Sequence, residues 1–155
     1  MLDISILAVG KLKEKSYQAM FSEYEKRLAP FARVKVVELN AASFGARDQA
    51  RAIAADEALI ANYLEKNRLS ASPAKVYLLS EKGVLSDSKE FAAKIDDGPL
   101  ILVLGGALGF SSSFAARYEK ISLSPLTIPH ELARVVLIEQ LYRAAAILRG
   151  KEYDY

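Results

Sequence analysis

Short apolar runs alternate with longer amphipathic stretches along the chain. The runs are rich in β-branched and aliphatic residues, which favour strands at this length. The first run, residues 4–9, is apolar at every position except Ser5, which is typical of a strand buried on both faces. The pattern predicts strands at residues 4–9, 34–39, 75–80, 100–104 and 121–123.

The stretches between these runs carry apolar residues at helical spacing. The first predicts a helix that Pro30 ends, with one apolar face formed by Tyr17, Met20, Phe21, Tyr24 and Leu28. Further helices are predicted at residues 46–67, at 87–95, from Ser111 or Ser112 to Lys120, and at 130–148. Strands separated by helices predict an α/β fold, in which a mostly parallel sheet has helices on both faces.

Length and composition are those of one globular domain spanning residues 1–155. Hydrophobic residues make up 52% of the chain and charged residues 26%, which is ordinary for such a domain. No apolar run approaches the roughly 20 residues that a membrane-spanning helix needs, and Asp3 interrupts any secretory pattern at the start. We therefore expect a cytoplasmic protein with no membrane partner.

The residues that carry metal and thiol chemistry are scarce. There is no cysteine and His130 is the one histidine, so thiolate zinc sites, cysteine nucleophiles and histidine clusters are excluded and no metal is expected. The net charge of +2 is too small to indicate a nucleic-acid partner. Lys11, Lys13 and Lys15 cluster after the first strand, where a solvated basic face is the simpler interpretation.

Ligands of parallel sheets bind beyond the carboxyl ends of the strands. That rule selects three segments, at residues 80–83, 105–109 and 124–129. The glycines of the second allow a tight turn and a close approach of the backbone to a ligand. This segment lacks the Lys-Ser/Thr ending of a phosphate-binding P-loop and the spacing of a dinucleotide fingerprint. A cofactor loop and a simple tight turn both remain open.

The segment from Leu123 to His130 contains two prolines four positions apart, Pro125 and Pro129. They hold the loop extended, with its main-chain groups available to hydrogen bond an adenine edge. His130 follows at the start of a predicted helix, where it is a cap, a surface residue or a substrate contact.

The last helix is apolar over a wide arc, which predicts that it is covered on more than one side and favours burial in a subunit interface. Arg134 and Arg143 on this helix need anionic partners. For Arg143, a carboxylate within a dimer and an RNA phosphate are both open. Gly150 is a predicted helix C-cap. A frayed aromatic tail and stacking of its tyrosines on an exposed base are both open.

Four motifs in order resemble the RlmH family of the SPOUT superfamily, and the resemblance covers the whole chain. They are Gly105-Gly106-x-x-Gly109, the 123–130 loop, Arg134-Val135-x-Leu137-x-Glu139-Gln140-x-Tyr142-Arg143-Ala144, and Gly150-x-x-Tyr153. The resemblance implies a SPOUT-type fold with a C-terminal trefoil knot, an exception to the rule that protein chains are unknotted. It also implies a homodimer in which the second subunit helps to form the RNA site.

The activity implied by the resemblance is transfer of a methyl group from S-adenosyl-L-methionine (SAM) to N3 of a pseudouridine in 23S ribosomal RNA, within the assembled ribosome. The implied catalytic residues are His130, Arg143 and Tyr153. The implied SAM-binding residues are Leu79, Gly105, Gly106, Leu123, Ser124, Pro125, Leu126, Thr127 and Ile128.

The tail departs from the family at one position, because Asp154 stands where a histidine is common. A carboxylate with an ordinary pKa near 3.9 is a weak base, which questions any mechanism based on a tail imidazole. Two alternatives follow: a SPOUT-fold RNA-binding protein with lost or altered activity, and a different α/β enzyme with a nucleotide site.

Overall fold

Five strands form one sheet in the order β2-β1-β4-β3-β5, and all neighbouring strands are parallel. The computed structural model describes residues 1–68, 72–151 and 153. The strands are β1 (Leu2–Val9), β2 (Ala32–Leu39), β3 (Lys75–Leu85), β4 (Leu100–Leu104) and β5 (Glu119–Ser122). The helices are α1 (Lys15–Leu28), α2 (Gln49–Arg68), α3 (Ser88–Ile95), α4 (Ser112–Ala115) and α5 (His130–Leu148).

Helices cover both faces of the sheet, so the predicted α/β class is confirmed. On one face, α1, α3 and α5 pack on side chains such as Ile6 of β1 and Leu102 of β4. On the other face, α2 and α4 pack on side chains such as Leu7 and Val103. Every residue of β4 is buried, as expected of a central strand between two helical layers.

The third strand is longer than the pattern predicts, because it continues to Leu85 instead of ending at Ser80. Leu79 and Val84 both pair with Ile121 of β5, and the chain between them bulges out of the ladder. Gly83 is required in this bulge, since a Cβ there would lie 2.5 Å from the carbonyl carbon of Ile121. The sequence Glu81-Lys82-Gly83 indicates a turn, whereas pairing with β5 makes it an interrupted strand.

The helix predicted from Ser111 or Ser112 to Lys120 is present, but its predicted C-terminal end is wrong. Ser111 is the N-cap and its hydroxyl accepts the N–H of Phe114, but α4 ends at Ala115. Glu119 then pairs with Tyr77 at the start of β5. The strand ladder therefore takes residues that local propensity assigns to a helix.

The wide apolar arc of α5 is covered largely by the chain itself. Leu137, Ile138 and Leu141 are completely buried among α1, α3 and the sheet. The arc alone therefore does not require a second subunit. The helix ends at Leu148 and its C-cap is Arg149, one residue before the predicted Gly150. Gly150 follows with a φ of 65° and donates its N–H to the carbonyl of Ile147.

Across the described part of the chain, the helices are too short or too polar to cross a bilayer. The trefoil knot implied by the resemblance stays a prediction.

Candidate functional site

A cavity of about 390 Å³ lies at the carboxyl edge of the sheet. Its volume is within the range of roughly 300–1,000 Å³ that is common for small-molecule sites. Three segments form it: the bulge of β3, the glycine loop after β4 and the proline-containing loop after β5. These are the three segments selected from the sequence. The strands bring their ends together because they run parallel.

The glycine loop is closely packed against an aromatic side chain. A Cβ on Gly105 would lie 3.1 Å from the ring of Phe110, which itself lines the cavity. Gly109 has a φ of 69° and donates its N–H to the carbonyl of Gly106 at 3.0 Å, closing a tight turn. The loop therefore combines a turn with a backbone surface that faces the cavity, and a side chain at Gly105 would require the Phe110 ring to shift.

The end of this loop is fixed from α2. Glu57 accepts the backbone N–H of Ser111 at 2.6 Å and its hydroxyl at 3.0 Å. The ring of Phe110 stacks on the ring of Phe114, with centroids 5.9 Å apart. The wall is thus held by one carboxylate and one aromatic pair. Neither Glu57 nor Phe110 is predicted from sequence, because their roles depend on α2 lying beside the loop.

The loop after β5 is organised by two serines. Ser124 Oγ accepts the N–H of Leu126 at 3.1 Å, and Ser122 Oγ donates to the carbonyl of Ser124 at 2.9 Å. These bonds turn the chain so that five of the six predicted residues line the cavity, namely Leu123, Ser124, Leu126, Thr127 and Ile128. Pro125 is exposed in the same loop and is not among the lining residues.

Leu79, Gly105, Gly106 and His130 also line the cavity. His130 is the first residue of α5, directly after Pro129, and is half-buried. Of the predicted catalytic residues, it is the one that the structure brings to the cavity. The binding and catalytic roles of these residues stay predictions.

Arg143 and Tyr153 lie together but apart from this cavity. Arg143 Nη2 pairs with Glu139 Oε1 at 2.9 Å and Nη1 donates to the carbonyl of Tyr153 at 3.0 Å. Arg143 is 13 positions beyond His130 on α5, a separation of about 20 Å at about 1.5 Å per residue. Within one chain, these groups do not converge on His130.

The ring of Tyr153 is docked on the helical layer. It meets Tyr142 edge-on at a centroid distance of 4.8 Å, and the guanidinium carbon of Arg143 lies 4.9 Å from its centroid. Burial raises the pKa of the Tyr153 phenol, and a hydrogen bond with Tyr24 raises it further. Asp154, the position that departs from the family, lies outside the described residues.

Arg134 finds its anionic partner within the chain. It is almost completely buried, pairs with Glu38 Oε1 at 2.5 Å and donates from Nη2 to the carbonyl of Gly10 at 3.0 Å. It therefore joins α5 to the ends of β1 and β2. The sequence shows that Arg134 needs a carboxylate but not which one, because Glu38 is 96 positions away.

Among residues 1–68, 72–151 and 153, no three histidine, aspartate or glutamate side chains are grouped as a metal site.

Comparison with known proteins adds a match over almost the entire chain. A family model described as a predicted SPOUT methyltransferase matches residues 2–154. Ribosomal RNA large subunit methyltransferase H of Clostridium acetobutylicum is 36% identical over 161 residues, covering 98% of this chain and 99% of the relative. Its counterpart in Bacillus thuringiensis is 36% identical over 162 residues, with the same coverage. The chain belongs to the RlmH family of SPOUT methyltransferases.

Solved structures similar to this RlmH-family chain share its fold. A protein from Haemophilus influenzae assigned to a methylase family has a TM-score of 0.57 at 15% identity, covering 100% of this chain and 72% of that one. The SpoU methyltransferase AviRb of Streptomyces viridochromogenes, solved in complex with AdoMet, has a TM-score of 0.55 at 12% identity. That match covers 98% of this chain and 60% of AviRb. These likenesses show that the fold is of the SPOUT type.

Proposed function

We propose that this protein is a SAM-dependent methyltransferase that methylates N3 of a pseudouridine in 23S ribosomal RNA. Its substrate is the large-subunit RNA of the assembled ribosome, and it acts in the cytoplasm as a homodimer. The observation that carries the proposal is the cavity where three loops meet, in a chain matching ribosomal RNA methyltransferases over its full length.

The residues around the cavity fit SAM. A nucleoside needs backbone donors and acceptors near its adenine edge and apolar walls around its ring. The loop after β5 offers the carbonyl of Leu126 and the main-chain groups of Thr127 and Ile128, while Leu79 and Leu123 supply apolar wall. Gly105 and Gly106 line the cavity with backbone alone.

The reaction requires little from the protein beyond positioning. SAM supplies a methyl group already activated on a positively charged sulfur. When bound, it would transfer this group to N3 and leave as S-adenosylhomocysteine, while the N3 proton would pass to solvent. His130 lines the cavity at its α5 end and is the candidate to orient the acceptor base.

A homodimer accounts for the separation of His130 from Arg143 and Tyr153. If Arg143 and Tyr153 of one subunit approach the cavity of the other, all three groups serve one acceptor. Large apolar side chains at the ends of β3 and beyond β5 support this assembly, since Val84, Leu85 and Leu126 are 63%, 57% and 75% exposed in the single chain.

The test is Gly105→Val, measured first by calorimetric titration with SAM. The new side chain must displace the ring of Phe110, which lines the cavity, because a Cβ at position 105 would lie 3.1 Å from it. We expect Gly105→Val to bind SAM at least about tenfold more weakly than wild type, because overpacking forces the side chains around the cavity to move. Its circular dichroism spectrum should remain that of the native fold. Gly45→Ala is the matched control, since a Cβ there meets nothing within 4 Å.

The activity itself is tested by incubating ribosomes that lack the modification with protein and SAM, then analysing 23S nucleosides by mass spectrometry. Wild type and Gly45→Ala should produce N3-methylpseudouridine, and Gly105→Val should not. SAM binding by wild type without methylation would instead favour an RNA-binding protein with lost activity.

A further inference from the structure

The chain beyond α5 is held on the helical layer at two positions. The backbone N–H of Lys151 donates to the carbonyl of Ala146 at 3.0 Å, and the Nζ of Lys151 lies 4.8 Å from the centroid of the Phe31 ring. Two positions further on, the ring of Tyr153 meets that of Tyr142 edge-on. Residues 151 and 153 of the tail are therefore docked on the protein.

Three aromatic side chains form the surface against which the tail docks. Tyr142 on α5 is central, because its ring centroid lies 6.2 Å from that of Tyr24 on α1 and 6.4 Å from that of Phe31, directly before β2. Tyr24 and Phe31 pack on the hydrophobic core, which limits how far their rings can move. We call Tyr24, Phe31 and Tyr142 the aromatic seat.

The position of Tyr153 is coupled to that of Arg143. The guanidinium carbon of Arg143 lies 4.9 Å from the centroid of the Tyr153 ring, and Nη1 donates to the Tyr153 carbonyl at 3.0 Å. Glu139, one turn earlier on α5, accepts a hydrogen bond from Nη2 at 2.9 Å. Because the ring, the carbonyl and the guanidinium contact one another, release of Tyr153 from the seat would also change the surroundings of Arg143.

The aromatic seat lies away from the cavity proposed for SAM. None of its three residues lines that cavity. Tyr142 is 12 positions beyond His130 on α5, a separation of about 18 Å at about 1.5 Å per residue. Its effect on the reaction would therefore pass through the tail residues that it holds.

We propose that the aromatic seat positions Arg143 and Tyr153 for the acceptor nucleotide, and that Tyr142 is its central positioning residue. The inference rests on the proposed function, in which these two residues approach the cavity of the other subunit. A tail that is docked before the substrate binds loses less conformational freedom on the way to the transition state.

The first test measures release of the tail from the full-length protein. Trypsin cleaves after Arg149 and Lys151, and cleavage of a docked segment requires the segment to open. Mass spectrometry of the intact protein follows the cleavage. We expect Tyr142→Leu to be cleaved in the tail about three- to tenfold faster than wild type, as for the loss of one aromatic pair. Tyr142→Phe keeps the ring that contacts Tyr153 and should be cleaved at the wild-type rate.

Tyr118→Leu is the matched control. It removes a half-buried ring that pairs with Phe114 on the other face of the sheet, and it should leave cleavage of the tail unchanged. Urea denaturation of both leucine variants measures any loss of global stability, which separates unfolding of the whole chain from release of the tail.

The second test asks which subunit the seat serves, with two dimers that carry the same substitutions in different arrangements. In the first dimer, His130→Ala is on one chain and Tyr142→Leu is on the other. Its intact cavity receives the tail of a chain with a native seat, so it should methylate ribosomes at about half the wild-type rate.

In the second dimer, both substitutions are on one chain, and its partner is wild type. The intact cavity now receives the tail of the chain that lacks Tyr142, so methylation should be about three- to tenfold slower than in the first dimer. Both dimers should bind SAM with equal affinity.

The outcomes separate this inference from the proposed function. Wild-type cleavage of the tail in Tyr142→Leu, or equal methylation by the two dimers, would overturn the positioning role. Slower methylation by the first dimer than by the second would mean that Tyr142 acts on the cavity of its own chain, which also overturns it. Absence of methylation by the wild-type protein would remove the methyltransferase proposal, whereas the cleavage rates test the seat without any reaction.

Discussion

At the scale of single residues, the loops of the site are held by carboxylates that accept hydrogen bonds from backbone N–H groups. Glu57 holds the N–H of Ser111, Asp56 holds that of Ala42, and Glu131 holds those of Lys13 and Glu14. Each carboxylate fixes a loop at the carboxyl edge of the sheet. Because a backbone N–H can belong to any residue, no sequence motif marks these partners.

At the residue scale, we predict that the ionisation of Glu131 makes the stability of the fold sensitive to acid. The hydrogen bonds from the backbone of Glu14 and then Lys13 hold the pKa of its carboxyl below the ordinary value. A group whose pKa is lower in the folded state contributes stability at neutral pH, and that contribution disappears as pH falls through the folded pKa. Glu131→Gln should therefore lower the free energy of unfolding at about pH 7. At about pH 3, the difference in this free energy between the variant and wild type should be smaller.

Urea denaturation at the two pH values measures this difference, with Glu119→Gln on β5 as a control for the loss of an exposed charge. A difference from wild type that is the same at both pH values would mean that Glu131 contributes nothing through its ionised form.

At the scale of elements, hydrophobic periodicity predicts correctly those strands and helices whose conformation is determined by local propensity and burial. The buried strand Leu100–Leu104 agrees with its predicted bounds, and the helix predicted at residues 87–95 is present with Asp87 and Glu90 forming a capping box. The pattern fails at Gly83 and at Lys120, where pairing between β3 and β5 determines the conformation. Such pairing joins segments roughly 40 positions apart, beyond the reach of a local pattern.

The candidate site divides in the same way. The three loops follow from strand order and the carboxyl-edge rule, whereas the residues that hold them in place come from α2 and α5. Glu57 reaches Ser111 and Arg134 reaches Glu38 only because whole elements lie side by side. Sequence therefore predicts which loops line the cavity, and not their supporting contacts.

Arg134 is the element-scale prediction, because it joins α5 to the ends of two strands. Arg134→Ala should destabilise the fold by about 2 kcal/mol, since it removes an almost completely buried guanidinium from the partly exposed Glu38 and leaves the Gly10 carbonyl without this donor. Arg27→Ala on α1 breaks a pair whose side chains are 47% and 53% exposed and should destabilise the fold much less than Arg134→Ala does. Chemical denaturation compares the two, and equal losses would contradict the structural role of Arg134.

At the scale of the whole molecule, the groups assigned to the reaction lie at opposite ends of α5. His130 begins the helix beside the cavity proposed for SAM, and Arg143 lies near its end with Tyr153. A symmetric dimer can bring Arg143 and Tyr153 of each subunit to the cavity of the other.

That arrangement predicts complementation between two inactive proteins. In a dimer of one His130→Ala chain and one Arg143→Ala chain, one of the two sites has both native residues. Random pairing on co-expression should restore about one quarter of wild-type methylation, since about half of the dimers are mixed and each has one intact site.

Each variant alone should be inactive while it keeps SAM binding. Co-expressing His130→Ala with a His130→Ala/Arg143→Ala chain is the matched control and should restore nothing. Mixed dimers, isolated by two affinity tags, that stay inactive would show that the two residues do not act across the subunit boundary.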